Sequence, residues 1–226
     1  MIRSLKISFL GLLWIHTTGL YAGVMGNDAS YQSNYAYLGG QIGLMGLADK
    51  QSSLLPSPST HRLSATGLLG GGFVGYALPI SERVVLGFEG FGNGISANAT
   101  ATQNYGTQPQ YQIDMSYNAG VRALPSYLVT PNALGYLILG YSYAQFHIQD
   151  NGNYGYVNDS FSGNGLEAGL GLKTELMVPL SLRFDVIYTY YGSETTYGRT
   201  LTGFQAYQNN LATLEANLAL VYSFSL

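Results

Sequence analysis

Apolar and polar side chains alternate along most of the chain, and the C-terminal segment shows this most clearly. Over residues 214–226, every second residue beginning with Leu214 is apolar, whereas the residues between them are mainly small or polar. A period of two puts the two sets on opposite faces of a β-strand. A tilted membrane strand needs only about 9–11 residues. We therefore predict a long strand here with one apolar face.

The same alternation predicts eight strands in all. Four further segments alternate cleanly and three are blurred by glycine; together they are 35–47, 68–78, 84–92, 111–123, 134–146, 166–176 and 182–191. The links between them alternate in length. Short links with proline lie near residues 79–82, 125–133 and 178–181, and long polar links near 48–65, 93–110, 147–164 and 192–210. This arrangement predicts an all-β, eight-stranded antiparallel up-and-down barrel with long extracellular loops and short periplasmic turns.

The size of the side chains predicts which face points outward. Large apolar residues occupy one face of nearly every strand, and the other face carries glycine, serine, asparagine and a few charges. Side chains alone fill the interior of an eight-stranded barrel, so we expect the large apolar residues to overfill it and to face lipid instead. Tyrosines near strand ends suit the two membrane interfaces. They are Tyr35, Tyr37, Tyr111, Tyr188, Tyr190 and Tyr222.

Composition agrees with a membrane barrel. The chain of 226 residues is 46% hydrophobic and only 9% charged, against about 25% charged in ordinary soluble domains. Beyond the N-terminal segment it has no run of 18 apolar residues, which excludes a bundle of membrane helices. It has no cysteine, so a disulfide framework is also excluded.

The first 22 residues have the layout of a cleaved secretory signal. Arg3 and Lys6 precede an apolar stretch over residues 7–15, and the small residue Ala22 precedes the predicted cut. Residues 23–34 are then a short periplasmic segment before the barrel, which we place at 35–226. Removal of the signal leaves seven basic and twelve acidic residues. This acidity argues against nucleic acid as a partner.

Nine charged residues share the parity that we assign to the lumen. Opposite charges inside a barrel should pair, because an isolated buried charge is very costly. Across the turn near 178–181, we expect Glu175 to face Arg183 or Asp185, and Lys173 to face Asp185 or Ile187. The cluster is either a plug that fixes strand register or a gated polar pore. Its members are Glu89, Asp114, Arg122, Glu167, Lys173, Glu175, Arg183, Asp185 and Glu215.

Several stretches resemble a known family. They are Gly75 with Tyr76, VVLGFEGFGNG at 84–94, GYLILGYSYAQF at 135–146, GLGLKTEL at 169–176, LRFDVIYTYYG at 182–192 and LALVYSFSL at 218–226. Over residues 35–226 the chain resembles the small eight-stranded bacterial outer-membrane barrels related to the transmembrane domain of OmpA, also called opacity-type or OmpX-like proteins. The resemblance implies an internal salt-bridge cluster that includes Glu89, Lys173 and Arg183.

The resemblance also implies a C-terminal signal that the barrel assembly machinery reads. Tyr222, Phe224 and Leu226 stand at the positions of that signal. The family usually ends in phenylalanine, and this chain ends in leucine. Tyr222 and Phe224 keep the expected parity, so we expect assembly to work with reduced efficiency.

Signals for catalysis are weak. His147, Ser160 and Ser162 fall in one predicted loop, but no spacing marks a catalytic set. His61 has no partner at metal-ligand spacing. We therefore expect no catalytic residues, no cofactor site and no metal site, and a protein that is not an enzyme.

The sequence as a whole predicts an integral outer-membrane protein of a Gram-negative bacterium. We expect a structural or surface-interaction, adhesin-like role through the extracellular loops, which are rich in Ser, Thr, Asn, Gln and Tyr. The expected partners are outer-membrane lipid, the barrel assembly machinery and a host or surface ligand. A narrow porin-like channel is the alternative, and a lipid-modifying outer-membrane enzyme is a third.

The signal assignment predicts the N-terminus of the mature protein. If residues 1–22 are removed on export, the protein extracted from membranes begins at or near Gly23. N-terminal sequencing of that fraction measures this directly. Recovery of Met1 in the membrane fraction would contradict the assignment.

Overall fold

The computed structural model describes residues 33–53, 60–102, 110–152, 155–200 and 203–225. These ranges contain eight strands in chain order. They are β1 (Tyr35–Ser53), β2 (Thr60–Pro79), β3 (Val84–Thr102), β4 (Gln110–Thr130), β5 (Ala133–Gly152), β6 (Gly155–Met177), β7 (Leu180–Thr200) and β8 (Gly203–Ser225). The predicted signal at 1–22 and Leu226 lie outside the described residues.

The strands form one closed antiparallel barrel. Each strand pairs with the next along the chain, and β1 pairs with β8 to close the sheet. Every pair of neighbouring strands is bonded over the half of the barrel nearer the short turns. A strand in lipid requires such closure because no water is present to bond its backbone. The predicted fold class is confirmed. No helix in the described residues is long and apolar enough to cross a membrane.

The strands are longer than the alternation predicts. They contain 19–23 residues, which at a rise of about 3.3 Å per residue and a tilt of about 40° gives a wall roughly 50 Å tall. Most of the predicted long loops are therefore paired strand. The polar composition of these stretches hid this, because strands that leave the membrane no longer need an apolar outer face.

The short turns differ in detail from the predicted ones. Pro125 lies within β4 opposite Leu86 rather than in a turn. The β6–β7 turn contains only Val178 and Pro179. This tight turn pairs Lys173 with Arg183 and Glu175 with Ser181, so both facing partners expected from the sequence were wrong. The reason is that shortening a turn by one residue changes the cross-strand partner of every residue in the hairpin.

The outward face carries the predicted apolar residues. On β6 and β8, for example, Leu170 and Leu218 are 63% and 47% exposed. We call this surface the apolar band, and it lies towards the end with the short turns. Its members include Leu38, Ile42, Leu44, Leu68, Val74, Phe88, Val121, Leu137, Leu139, Leu166, Leu170, Leu172, Phe184, Val186, Leu214, Leu218 and Leu220. Tyr188, Tyr190 and Tyr222 are exposed on the same face, as predicted.

The interior is more aromatic than expected. Tyr35 and Tyr37, which the sequence analysis assigned to the membrane interface, are instead buried in the lumen together with Phe73. Inward glycines make room for these rings: a side chain at Gly75 would collide with the ring of Tyr37, and one at Gly39 with the ring of Phe73. Large inward residues therefore do not overfill the barrel where the facing position is glycine.

The apolar band predicts a depth-dependent cost for charge. Leu170→Arg places a cation near the middle of the band, and we expect it to lower the free energy of unfolding by about 2–4 kcal/mol. Ser162→Arg is the matched control, because Ser162 is exposed on the same face of β6 but beyond the band. Urea titrations of both variants in lipid vesicles measure the difference. Equal losses at the two positions would contradict the proposed position of the membrane.

Candidate functional site

A charged layer crosses the middle of the lumen, and Glu89 on β3 is at its centre. The guanidinium of Arg183 forms a bidentate pair with the Glu89 carboxylate, and Nη1 of Arg122 lies 3.7 Å from Glu89 Oε1. The Tyr37 hydroxyl donates to Glu89 Oε2 at 3.3 Å. All four residues are at most 7% exposed. One carboxylate on β3 thus binds groups from three other strands, β1, β4 and β7.

The two arginines are each bonded to a second carboxylate. Arg122 Nε donates to Glu167 Oε2 at 2.6 Å, and its Nη2 lies 3.3 Å from Oε1. Arg183 Nε donates to Asp185 Oδ2 at 2.7 Å. The second oxygen of Asp185 accepts a bond from the Tyr136 hydroxyl. These charge-assisted bonds link β3 to β4, β6 and β7 across the lumen.

Aromatic faces cover the cations of this layer. The guanidinium carbon of Arg122 is 3.5 Å from the centre of the Phe91 ring, and that of Arg183 is 4.6 Å from the Phe73 ring. Lys173 Nζ donates to the Tyr35 hydroxyl at 3.1 Å. Ring faces attract cations, so the inward aromatics stabilise charges that are removed from water.

A chain of amides continues the polar layer towards β8. Gln41 Nε2 donates to Asn93 Oδ1 at 2.6 Å, and Asn93 Nδ2 donates to Asn118 Oδ1 at 2.9 Å. Asn118 and Asn217 then donate to the two oxygens of Glu215, at 3.0 and 3.3 Å. Asn93, Asn118 and Asn217 occupy inward positions in the alternating pattern, so the sequence could have indicated them. They were not singled out because they are uncharged.

Seven of the nine predicted lumen charges are buried in this layer. The carboxylates are Glu89, Glu167, Asp185 and Glu215, and the cations are Arg122, Lys173 and Arg183. An eighth, Glu175, is half-buried opposite Ser181 near the short turns.

Asp114 is the exception, and its predicted lumen position was wrong. Between Met115 and Tyr117 the register shifts, so Ser116 and Tyr117 are both exposed while Met115 and Asn118 are buried. This β-bulge reverses the parity of the residues above it. Asp114 therefore lies on the outer face, where its partner on β5 is His147.

Apolar clusters pack above and below the charged layer. The upper cluster includes Met45, Leu69, Met115, Phe146 and Leu211, all at most 4% exposed. The lower one surrounds Phe73 and contains Leu134, Val221 and the two tyrosines at the start of β1. A cavity of about 30 Å³ lies at the level of Lys173 and Arg183, which is the space of about one water molecule. From the lower to the upper cluster the lumen is thus filled.

Asp49 was missed by the sequence analysis because it falls in a predicted loop. It lies on β1 beyond the apolar band, is 2% exposed and faces inward. Burial raises the pKa of its carboxyl to about 7, an effect larger than the opposing one of a backbone bond from Asn210.

The larger surface depression is on the outside of the wall. It spans β2–β5 and is lined by apolar band residues such as Val74, Phe88, Val121 and Leu139. Its lining suits contact with acyl chains rather than with a polar ligand.

Comparison with known proteins agrees with this architecture. A family model described as "Outer membrane protein beta-barrel domain" matches residues 17–224. The chain belongs to this family. It is therefore an outer-membrane β-barrel protein, and its location is the outer membrane. A search of the curated proteins finds no match.

Solved outer-membrane barrels are similar to this one in fold. The outer membrane protein OprG of Pseudomonas aeruginosa is 10% identical with a TM-score of 0.53, and the match covers 86% of this chain and 98% of that one. Neisserial surface protein A is 15% identical with a TM-score of 0.47, covering 84% and 97%. Ail of Yersinia pestis is 13% identical with a TM-score of 0.41, covering 84% and 99%. At these identities the likeness concerns the fold alone.

The C-terminal strand of this outer-membrane barrel presents two residues of the expected assembly signal. Tyr222 and Phe224 are each 43% exposed on the outer face, and their rings lie 4.8 Å apart. Their shared outward parity is confirmed. Recognition by the assembly machinery stays a prediction.

The charged layer predicts that Arg183 contributes strongly to stability. Arg183→Ala leaves Glu89 and Asp185 buried without their main cation, and breaking a buried pair typically costs about 3–5 kcal/mol. Arg83→Ala is the control, because Arg83 is exposed in the β2–β3 turn and its removal should leave the unfolding midpoint nearly unchanged. Urea midpoints in the same detergent micelles measure both. Equal midpoints would show that the layer is not paired as described.

Proposed function

We propose that this outer-membrane barrel is a surface-interaction protein that acts through the part of its wall beyond the membrane. The observation that carries this proposal is the combination of a filled lumen with strands about twice as tall as the membrane requires. An apolar band about 25 Å tall is enough to cross the outer membrane. A wall roughly 50 Å tall therefore presents about as much paired strand outside the membrane as inside it.

The outer surface of this upper wall has the chemistry of a binding face. We define the upper wall as residues 46–53, 60–66, 96–102, 110–116, 145–152, 155–164, 193–200 and 203–212. Its exposed side chains among those described are mainly hydroxyls and amides: Ser64, Thr66, Ser96, Ser116, Ser160, Ser162, Asn164, Ser193 and Thr195. Such groups donate and accept hydrogen bonds without needing a charged partner. They suit polar, uncharged surfaces such as saccharides or protein backbone.

Two four-stranded sheets give this face its shape. The β2–β3 ladder ends at Gly67 and Ala97, and the β6–β7 ladder ends at Leu166 and Tyr190. β7 and β8 remain paired up to Thr200 and Gly203, and β5 and β6 up to Gly152 and Gly155. Paired strands hold their side chains in place before binding, which lowers the entropy cost of forming a complex. A preorganised surface of this kind suits an adhesin-like role.

The filled lumen disfavours the alternative, a narrow porin-like channel. With charges paired at mid-height and apolar clusters on both sides of them, we expect the purified protein to conduct weakly or not at all in planar bilayers. Single-channel recordings at neutral pH test this. Large steady currents from the parent protein would favour the channel function over the surface-interaction function.

The binding role is tested by shortening the upper wall. Asp49 and Leu63 are cross-strand partners, so replacing residues 50–62 with Asn-Gly closes the hairpin in register; replacing residues 194–209, between the partners Ser193 and Asn210, does the same for β7–β8. We expect proteoliposomes of the parent to bind at least one surface on an array of glycans and extracellular-matrix proteins, and the shortened variants to lose that binding.

The matched control changes the opposite end of the barrel. Replacing Pro131 and Asn132 with Asn-Gly alters a short turn and should leave binding intact. Heat-dependent mobility on denaturing gels shows that each variant still forms a closed barrel. The proposal fails if the parent binds no better than empty liposomes, or if shortened and parent proteins bind alike.

A further inference from the structure

One row of side chains on the upper wall combines an acid, a base and a hydroxyl. Asp114 on β4 is the cross-strand partner of His147 on β5, and His147 is the partner of Ser160 on β6. Neighbouring strands lie about 4.8 Å apart, so an imidazole on the middle strand can reach a side chain on each side. The β-bulge at Ser116 creates this row, because without it Asp114 would face the lumen.

The contact that a nucleophile needs is present in this row. His147 Nδ1 lies 2.9 Å from the hydroxyl oxygen of Ser160. With the neutral ring protonated on Nε2, Nδ1 accepts the serine proton, and the carboxylate of Asp114 stabilises the positive charge that forms on the ring. Ser160 is exposed, so a substrate in solution or at the membrane surface can reach its hydroxyl.

The row below supplies donors for a developing oxyanion. Gln145 on β5 is the partner of Ser162 on β6, and both lie on the same outer face as His147 and Ser160. Amide and hydroxyl side chains are groups that stabilise such an oxygen. Acid, base, nucleophile and donors therefore occupy a patch of two rows on three adjacent strands.

We infer that Ser160, with His147 as its base and Asp114 as a positioning residue, forms a site for the hydrolysis of carboxylic esters. Ser160 Oγ bonds to the ester carbonyl carbon as its proton passes to His147 Nδ1. The bond to the alcohol oxygen then breaks, and the departing alcohol takes that proton. Water next attacks the acyl-serine with His147 again as base, which releases the carboxylic acid and restores the serine hydroxyl.

The height of the patch restricts where the ester comes from. Tyr143 is exposed on the same face of β5, and His147 follows four residues later, about 10 Å further along the barrel axis. Tyrosines on this face mark the membrane interface. The patch therefore lies at the outer edge of the headgroups, where it meets esters of lipids and of surface saccharides alike.

This inference goes beyond the surface-interaction role and departs from the expectation that the protein is not an enzyme. A lipid-modifying outer-membrane enzyme was the third function considered from the sequence, where the spacing of His147 and Ser160 along the chain gave it no support. The esterase site does not depend on which ligand the upper wall binds. It rests on the cross-strand pairing of Asp114, His147 and Ser160 and on the hydrogen bond between His147 and Ser160.

The first test is covalent labelling of the mature barrel in detergent micelles. A fluorophosphonate probe should modify Ser160, as located by peptide mass mapping, and Ser160→Ala should abolish the label. Ser81→Ala is the control, because Ser81 is exposed in the β2–β3 turn at the opposite end of the barrel, and this variant should retain the label. His147→Asn should slow labelling by about 100-fold or more. Heat-dependent mobility verifies that every variant is closed.

The test of Asp114 must measure a property that would not change if this residue were only structural. Asp114→Asn should slow labelling and Asp114→Glu should restore part of the rate, because the carboxylate stabilises the positive charge that forms on the imidazole during attack. Gln145→Ala should lower kcat for p-nitrophenyl butyrate by about tenfold or more with little change in KM. These two effects separate positioning and oxyanion stabilisation from simple loss of folding.

Three substrates distinguish the sources of the ester. The parent is incubated with p-nitrophenyl butyrate, with a glycerophospholipid in mixed micelles and with an O-acetylated polysaccharide, and the released acid is quantified. Release that Ser160→Ala abolishes and Ser81→Ala retains supports the inference, and the substrate that is cleaved identifies the source of the ester. Absence of label on Ser160 in the parent, or equal loss in the two serine variants, overturns it.

Discussion

Closure of the sheet is the constraint on which the rest of this molecule depends. A strand in lipid has no water to satisfy its backbone, so β1 must pair with β8. Closure by eight strands leaves a narrow lumen. Every inward side chain must share this volume with the side chains of the strands opposite. The inward glycines at 39 and 75 follow from this limit, since each leaves room for one aromatic ring.

The same limit explains the charged layer. Glu89 pairs with both Arg122 and Arg183, and each arginine also pairs with a second carboxylate. Removing any one partner leaves another buried charge uncompensated, so the layer also penalises strands that slip in register. The aromatic faces around the arginines reduce the cost of holding them away from water.

A filled interior moves function to the outer surface. Beyond the apolar band the wall continues as paired strand with hydroxyl and amide side chains exposed. It also carries the outward row that contains His147 and Ser160. Both proposals for this protein therefore concern the same upper wall, one through its whole surface and the other through a patch on three strands.

The sequence by itself determined the strand count, the outward apolar face and seven of the eight buried charges among the described residues, because these follow from a period of two within single segments. Only the tertiary structure decided the partners of Lys173 and Glu175, which depend on turn length, and the inward position of Tyr35, which depends on space left by other strands. Asp114 shows the reason most directly. One extra residue in β4 reverses its parity, and only pairing with β3 and β5 reveals where the ladder absorbs that residue.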